Sequence, residues 1–174
     1  MEDLLARIDK IEGAISDSRG VVPVADLGDI SAEPTDPAPS ITRAELLTGL
    51  DADAVELLLA KPVEPLVNVQ IRHLGGALAE PGGGAGASGA VAEPYLLGLL
   101  GLGLPHAADA TRTKQAEVVA DLGAYVSGRK PYTLLSPGDT AAKSFSGSTL
   151  ARLREIKRAR DPHNVFRANY PVLG

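Results

Sequence analysis

Asn68, Gln70 and Arg72 fall at every second position of Leu66-Val67-Asn68-Val69-Gln70-Ile71-Arg72-His73-Leu74, with Val67, Val69 and Ile71 between them. Alternation with period two is the pattern of a strand with one apolar face, so the three polar side chains share the other face. Two carboxamides and a guanidinium in a row can line a ligand cleft by hydrogen bonding, or they can be the solvent side of an antiparallel sheet. Other candidates offer less. His73, His106 and His163 stand far apart with no second ligand at metal-binding spacing, so no metal site is expected. Ser136, Ser144, Ser146 and Ser148 lie in turn-like sequence without a Gly-x-Ser-x-Gly elbow, which leaves serine hydrolysis unsupported. The run Pro-Gly-Gly-Gly-Ala-Gly-Ala-Ser-Gly-Ala at 81–90 has no Gly-Lys-Ser/Thr and reads as a flexible connection, not a phosphate cradle.

The elements that would position these groups follow from periodicity. Leu4, Leu5, Ile8, Ile11 and Ile15 recur at helical spacing and predict a helix over 2–16. Pro34, Pro37 and Pro39 make 31–40 an irregular connection, and Asp51 offers an N-cap for a helix that stops before Pro62. Strands are expected at 66–74 and 95–104, the second a continuous apolar run broken by Gly98, Gly101 and Gly103. Helices are expected at 111–126 and 148–159. In the last of these, Leu150, Leu153 and Ile156 form the inward stripe, and Arg152, Lys157, Arg158 and Arg160 face largely outward. Asp161-Pro162 ends that helix, and Val165 and Phe166 are the expected anchors of the tail. The class is α+β, an antiparallel sheet flanked by helices; no glycine fingerprint follows a strand, which argues against a doubly wound dinucleotide fold.

Composition narrows the function classes. With 174 residues and 44% apolar content the chain can bury a core, although aromatics are only 3%. The absence of cysteine excludes disulfides, thiol nucleophiles and cysteine-based metal sites, and makes the cytoplasm the default compartment. No apolar run follows Met1-Glu2-Asp3 that is long enough for a signal peptide or membrane span, so no membrane partner is expected. Net charge is −5, with thirteen acids against four bases in 1–59 and six bases against two acids in 150–169. A basic final helix without interleaved aromatics on an acidic chain predicts no nucleic-acid partner.

Arg152-Leu153-Arg154-Glu155-Ile156-Lys157, followed by Asp161-Pro162-His163-Asn164-Val165-Phe166-Arg167-Ala168-Asn169, resembles the C-terminal signature of berberine-bridge-enzyme-like FAD-linked oxidases. The strand sequence Val69-Gln70-Ile71-Arg72-His73-Leu74-Gly75-Gly76-Ala77 is similar to one in the substrate-domain sheet of that family. The likeness can be followed from Asp26-Leu27-Gly28-Asp29-Ile30 through Gly128-Arg129 to Tyr170-Pro171.

The resemblance implies a substrate- and cap-domain fold. Residues 1–147 would form the substrate-domain-like α+β region and 148–174 the berberine-like segment. The cofactor would be FAD, with Asn68, Gln70 and Arg72 facing a small organic substrate and Asn164, Arg167 and Asn169 near the flavin. It also implies a catalytic or positioning role for Tyr132. Family members commonly carry Tyr-x-Asn here, whereas this chain reads Tyr132-Thr133-Leu134, without the amide. The N-terminal FAD-binding domain of such enzymes has no counterpart in these residues. Activity would then require a partner chain or an unseen N-terminal half, and the exposed face should associate with that domain or with a second copy. The alternative is a non-catalytic remnant or stand-alone binding module of the same fold.

Overall fold

The computed structural model describes residues 2–13, 15–31, 36–80 and 86–173. Ala14 in the expected first helix, 32–35 in the proline-rich connection and 81–85 in the glycine-rich connection lie outside the described residues. The chain divides into two compact units, Met1–Pro37 and Ala38–Gly174, so residues 148–174 belong to the second.

In the first unit, α1 (Glu2–Ile8) and α2 (Gly28–Ser31) flank a single 3-10 turn, Val24–Asp26. The helix expected over 2–16 therefore ends at Ile8. Leu5, Ile8, Ile11 and Ile15 are all exposed, and a short helix with so exposed an apolar stripe has little to hold it.

The second unit holds β1 (Ser40–Leu47), α3 (Ala52–Leu59), β2 (Leu66–His73), β3 (Tyr95–Leu102), α4 (Ala108–Leu122) and α5 (Gly147–Arg160). Its sheet has the order β1-β3-β2 with both pairings antiparallel, which realises the expected α+β class. Asp51 caps α3 as its position predicts, accepting from the Ala54 N–H at 3.0 Å. The same carboxylate accepts from the Tyr125 hydroxyl at 2.7 Å, tying the end of α4 to the start of α3 and pushing the phenol up to about 12.

Leu47, Ala54, Leu66, Leu97, Leu99 and Leu122 form the main core between one sheet face and the helices α3 and α4. α4 is fastened by polar groups as well. The Gln115 amide donates to Ile41 O and Leu99 O, both at 3.0 Å, and the Thr111 hydroxyl donates to Leu102 O at 3.1 Å. This close seating requires Gly101, where a Cβ would lie 2.5 Å from Thr111 Cγ2 and 2.9 Å from its Oγ1. Gly101→Ala is therefore expected to cost about 1–2 kcal/mol by overpacking. Combined with Thr111→Ala it should cost less than the two single changes added, because the clashing atoms are gone. Urea denaturation of the four proteins checks this; strict additivity would mean that α4 shifts freely.

Candidate functional site

The sheet face turned away from α3 and α4 carries the polar strand residues. Asn68 pairs with Leu100, Gln70 with Gly98 and Arg72 with Leu96, and on the far strand Thr42, Ala44 and Leu46 lie opposite those same three residues of β3. Half of this face is closed: Leu74, Val91 and Leu134 pack on Ala44, Leu46 and Leu96. The β2 half is open, with Asn68, Gln70 and Arg72 all exposed. Gly98 contributes no side chain opposite Gln70, and the Arg72 Nε–H donates to Gln70 Oε1 at 2.6 Å, fixing the two heads together.

The expected alternation of β2 is altered at one point. A register shift between Leu66 and Asn68 puts Leu66 into the core and leaves Val67, expected inside, 62% exposed. A bulge adds one residue to the strand and reverses the faces before it relative to those after it. The faces of Val69 and Ile71 against Asn68, Gln70 and Arg72 follow the predicted pattern.

The second candidate group sits on a closed C-terminal structure. α5 begins at Ser146, whose hydroxyl accepts from the Thr149 N–H at 3.2 Å, and buries Leu150. Of the expected inward stripe, Leu153 is half-buried but Ile156 is exposed, whereas Lys157, expected outward, turns in to Asp161. Asp161 is the organiser of the turn. Its carboxylate pairs with Lys157 and accepts the backbone N–H groups of Val165 at 2.8 Å and Phe166 at 3.0 Å. The Lys157 ammonium beside it holds the carboxyl below the usual carboxylate range; burial opposes this, and the Val165 and Phe166 backbone donors add to the lowering. Lys157 also donates to Phe166 O. Asn164 takes φ of 51°, a left-handed conformation that asparagine tolerates.

Beyond this turn the tail returns to residues 132–135. The Tyr170 hydroxyl donates to Leu135 O at 2.5 Å, the Tyr132 hydroxyl donates to Tyr170 O at 2.8 Å, and the Arg154 Nε–H donates to Val172 O at 2.7 Å. The Tyr132 ring lies 5.3 Å from that of Phe145 and meets Tyr170 edge-on at 6.2 Å. Tyr170, not Val165 or Phe166, is thus the tail's anchor; the latter two are 73% and 79% exposed. Their backbones are held by Asp161, which leaves the side chains outside. Tyr132 occupies a 3-10 turn, Tyr132–Leu134, with its hydroxyl proton committed to a backbone carbonyl.

Asn164, Arg167 and Asn169 are exposed and their side chains make no hydrogen bond or ion pair among the described residues. The structure links Tyr132 to the tail through Tyr170, and Leu134 to the closed half of the sheet face. No hydrogen bond, ion pair or ring contact among the described residues joins the tail residues to Asn68, Gln70 or Arg72. The described residues contain no cluster of metal-ligating side chains, and no described helix is long and apolar enough to cross a membrane.

One charged group escaped sequence reasoning altogether. Lys130, 4% exposed, pairs with Glu45 at 3.2 Å and Asp139 at 2.9 Å, while Arg43 and Lys143 reach the same carboxylates at 2.8 Å and 2.7 Å. Burial raises the Asp139 carboxyl, but hydrogen bonds from Lys143, the Ser136 N–H and Lys130 outweigh it and hold the group at about 2. The only sequence signal was the turn Ser136-Pro137-Gly138-Asp139; its partners lie on distant segments.

Residues 132–172, the span from Tyr132 to the carbonyl that binds Arg154, match the family described as berberine and berberine like. Two solved structures, wild-type Physcomitrella patens BBE-like 1 and a variant of it, share the fold at 14% sequence identity. Each superimposes with a TM-score of 0.65 over 83% of this chain and 33% of its own, so the chain spans about a third of their length. No curated protein shows a match in sequence. Residues 132–172 thus match the berberine and berberine-like family model, and the α+β fold is similar to part of the fold of BBE-like proteins.

Proposed function

We propose that this chain is the substrate-facing cap portion of an FAD-linked oxidoreductase, incomplete without an FAD-binding domain supplied by other residues. The observation that carries this reading is the asymmetry of the sheet. One face is covered by α3 and α4, whereas among the described residues Leu134, Val91 and Leu74 cover part of the other and Asn68, Gln70 and Arg72 are exposed. The berberine-like segment and the fold support it.

On this reading the three strand residues bind and orient the polar groups of a small organic substrate, and the Arg72–Gln70 hydrogen bond keeps that surface in one geometry. When bound, the flavin supplies the acceptor for the substrate's hydride. Asn164, Arg167 and Asn169 fit one edge of such a ring system, because their amide and guanidinium groups are exposed and unspent. Tyr132 serves as a positioning residue that holds the tail through Tyr170 O. The exposed Phe166 and the open sheet half would be covered by the FAD-binding domain or by a second copy. The alternative, a binding module without catalysis, is favoured by the committed Tyr132 hydroxyl and by leucine at 134 in place of an amide.

The described residues around the open face supply one wall and no phosphate cradle, so FAD should bind this chain alone only weakly. Titration followed by flavin fluorescence should show no submicromolar affinity; such affinity would overturn the incomplete-site reading. In amide NMR, millimolar lumiflavin should shift Asn68–Arg72 and the 164–169 turn. Shifts confined to other surfaces, or none at all, would reject the proposed face.

A further inference from the structure

A cleft of about 560 Å³ opens between the outer edge of β1, the first turns of α4 and the 136–143 loop. It lies on the α4 side of the sheet, at the strand opposite β2. Arg43, Arg112, Lys130 and Lys143 line it, and Asp139 is its one lining carboxylate. Glu45 behind it and Asp109 beside Arg112 bring the carboxylates to three against four cations, a surplus of one positive charge. Arg112 is otherwise paired only with Asp109, which is 98% exposed and largely screened by water. Ser136 also lines the cleft, and its hydroxyl is buried with no hydrogen-bond partner among the described residues.

We propose that this cleft binds a phosphate group, free or carried on a small organic molecule. Cation surplus, hydroxyl and size point to the same ligand. A buried hydroxyl without a partner is costly, and a phosphate oxygen accepts from it. A phosphate offers these cations more acceptor oxygens than a single carboxylate does, and guanidinium and ammonium donors form their strongest hydrogen bonds to such oxygens. The volume falls within the range of small-molecule pockets, on the order of 300–1,000 Å³. A water molecule would satisfy Ser136 but leave the charge surplus unanswered. The site is separate from the open face, and its failure would leave the function proposed above untouched.

The test is calorimetric titration of the whole chain with inorganic phosphate and with methyl phosphate, at constant ionic strength balanced by chloride. Saturable binding of either is expected. Arg112→Gln should weaken it about tenfold, the loss of one charge-assisted contact, and Ser136→Ala a few-fold. Tighter binding of methyl phosphate would identify an organic phosphate as the source, and equal binding would identify the free ion. Phosphate heats no different from those of chloride would overturn the proposal, as would unchanged affinity in Arg112→Gln. Should Ser136→Ala fail to fold, the exposed Lys143→Gln stands in, and retained affinity there together with Arg112→Gln would equally overturn it.

Discussion

Lys130→Ala is expected to lower the unfolding free energy by about 3–5 kcal/mol, because it leaves Glu45 and Asp139 buried beside one another without their central cation. Arg43 and Lys143 remain, at 29% and 47% side-chain exposure, and should bring the loss toward the lower figure. Lys143→Ala is the control. It removes a cation from the same Asp139 carboxylate, but a half-exposed one, and should cost under about 1 kcal/mol. Urea denaturation at neutral pH separates the two. Equal losses would mean that water already reaches the cluster and that burial contributes nothing. The pH dependence has a definite sign. Asp139 is held at about 2 against an ordinary value of 3.8, so its folded form binds protons less readily than its unfolded form. The stability it contributes is complete above the ordinary value and is lost as pH falls from there through about 2. Asp139→Asn should remove that part of the acid slope while lowering stability at neutral pH.

This cluster also shows where sequence reasoning stops. β2, β3, α3, α4 and α5 were legible because each carries its own period, cap or stop, within a residue or two of the observed ends except for α4, which begins and ends earlier and closes in the 3-10 turn Gly123–Tyr125. β1 was not. Ala44-Glu45-Leu46-Leu47 are good helix formers, and the inward-facing Arg43 and Glu45 break the apolar alternation. They are acceptable there only because Lys130 and Asp139, some ninety residues on, complete their pairing. The first helix is shorter than its clear pattern predicts, and Leu5, Ile8, Ile11 and Ile15 of its apolar stripe are exposed. On β2 the polar face was visible in the period, while the bulge at Val67 carries no local signal and shows only in the pairing with β3. The tail motif was legible as a motif. That Tyr170 anchors it while Phe166 stays outside depends on hydrogen bonds to Leu135 and from Tyr132, which no spacing rule contains.

Tyr170→Ala should release the tail, at a cost of about 2–3 kcal/mol for a half-buried aromatic that packs edge-on against Tyr132 and donates to Leu135 O. Tyr170→Phe keeps the ring and loses only the hydroxyl, leaving Leu135 O without that donor, and should cost about 1 kcal/mol. The turn at 161–166 is held independently by Asp161, so amide protection of Val165 and Phe166 should survive Tyr170→Ala at neutral pH. Because the Asp161 carboxyl sits below its ordinary range, that protection is present above the ordinary carboxylate value and fades as pH drops through the lowered one. This separation makes the variant informative about function. A released tail keeps Asn164, Arg167 and Asn169 on an intact turn but no longer fixed relative to residues 132–135. Lumiflavin shifts at 164–169 should then collapse while those at Asn68–Arg72 persist. If both sets persist unchanged in Tyr170→Ala, the tail does not need its anchor to meet the flavin. If both vanish, the two groups form one site across a connection that the hydrogen bonds and ring contacts do not display.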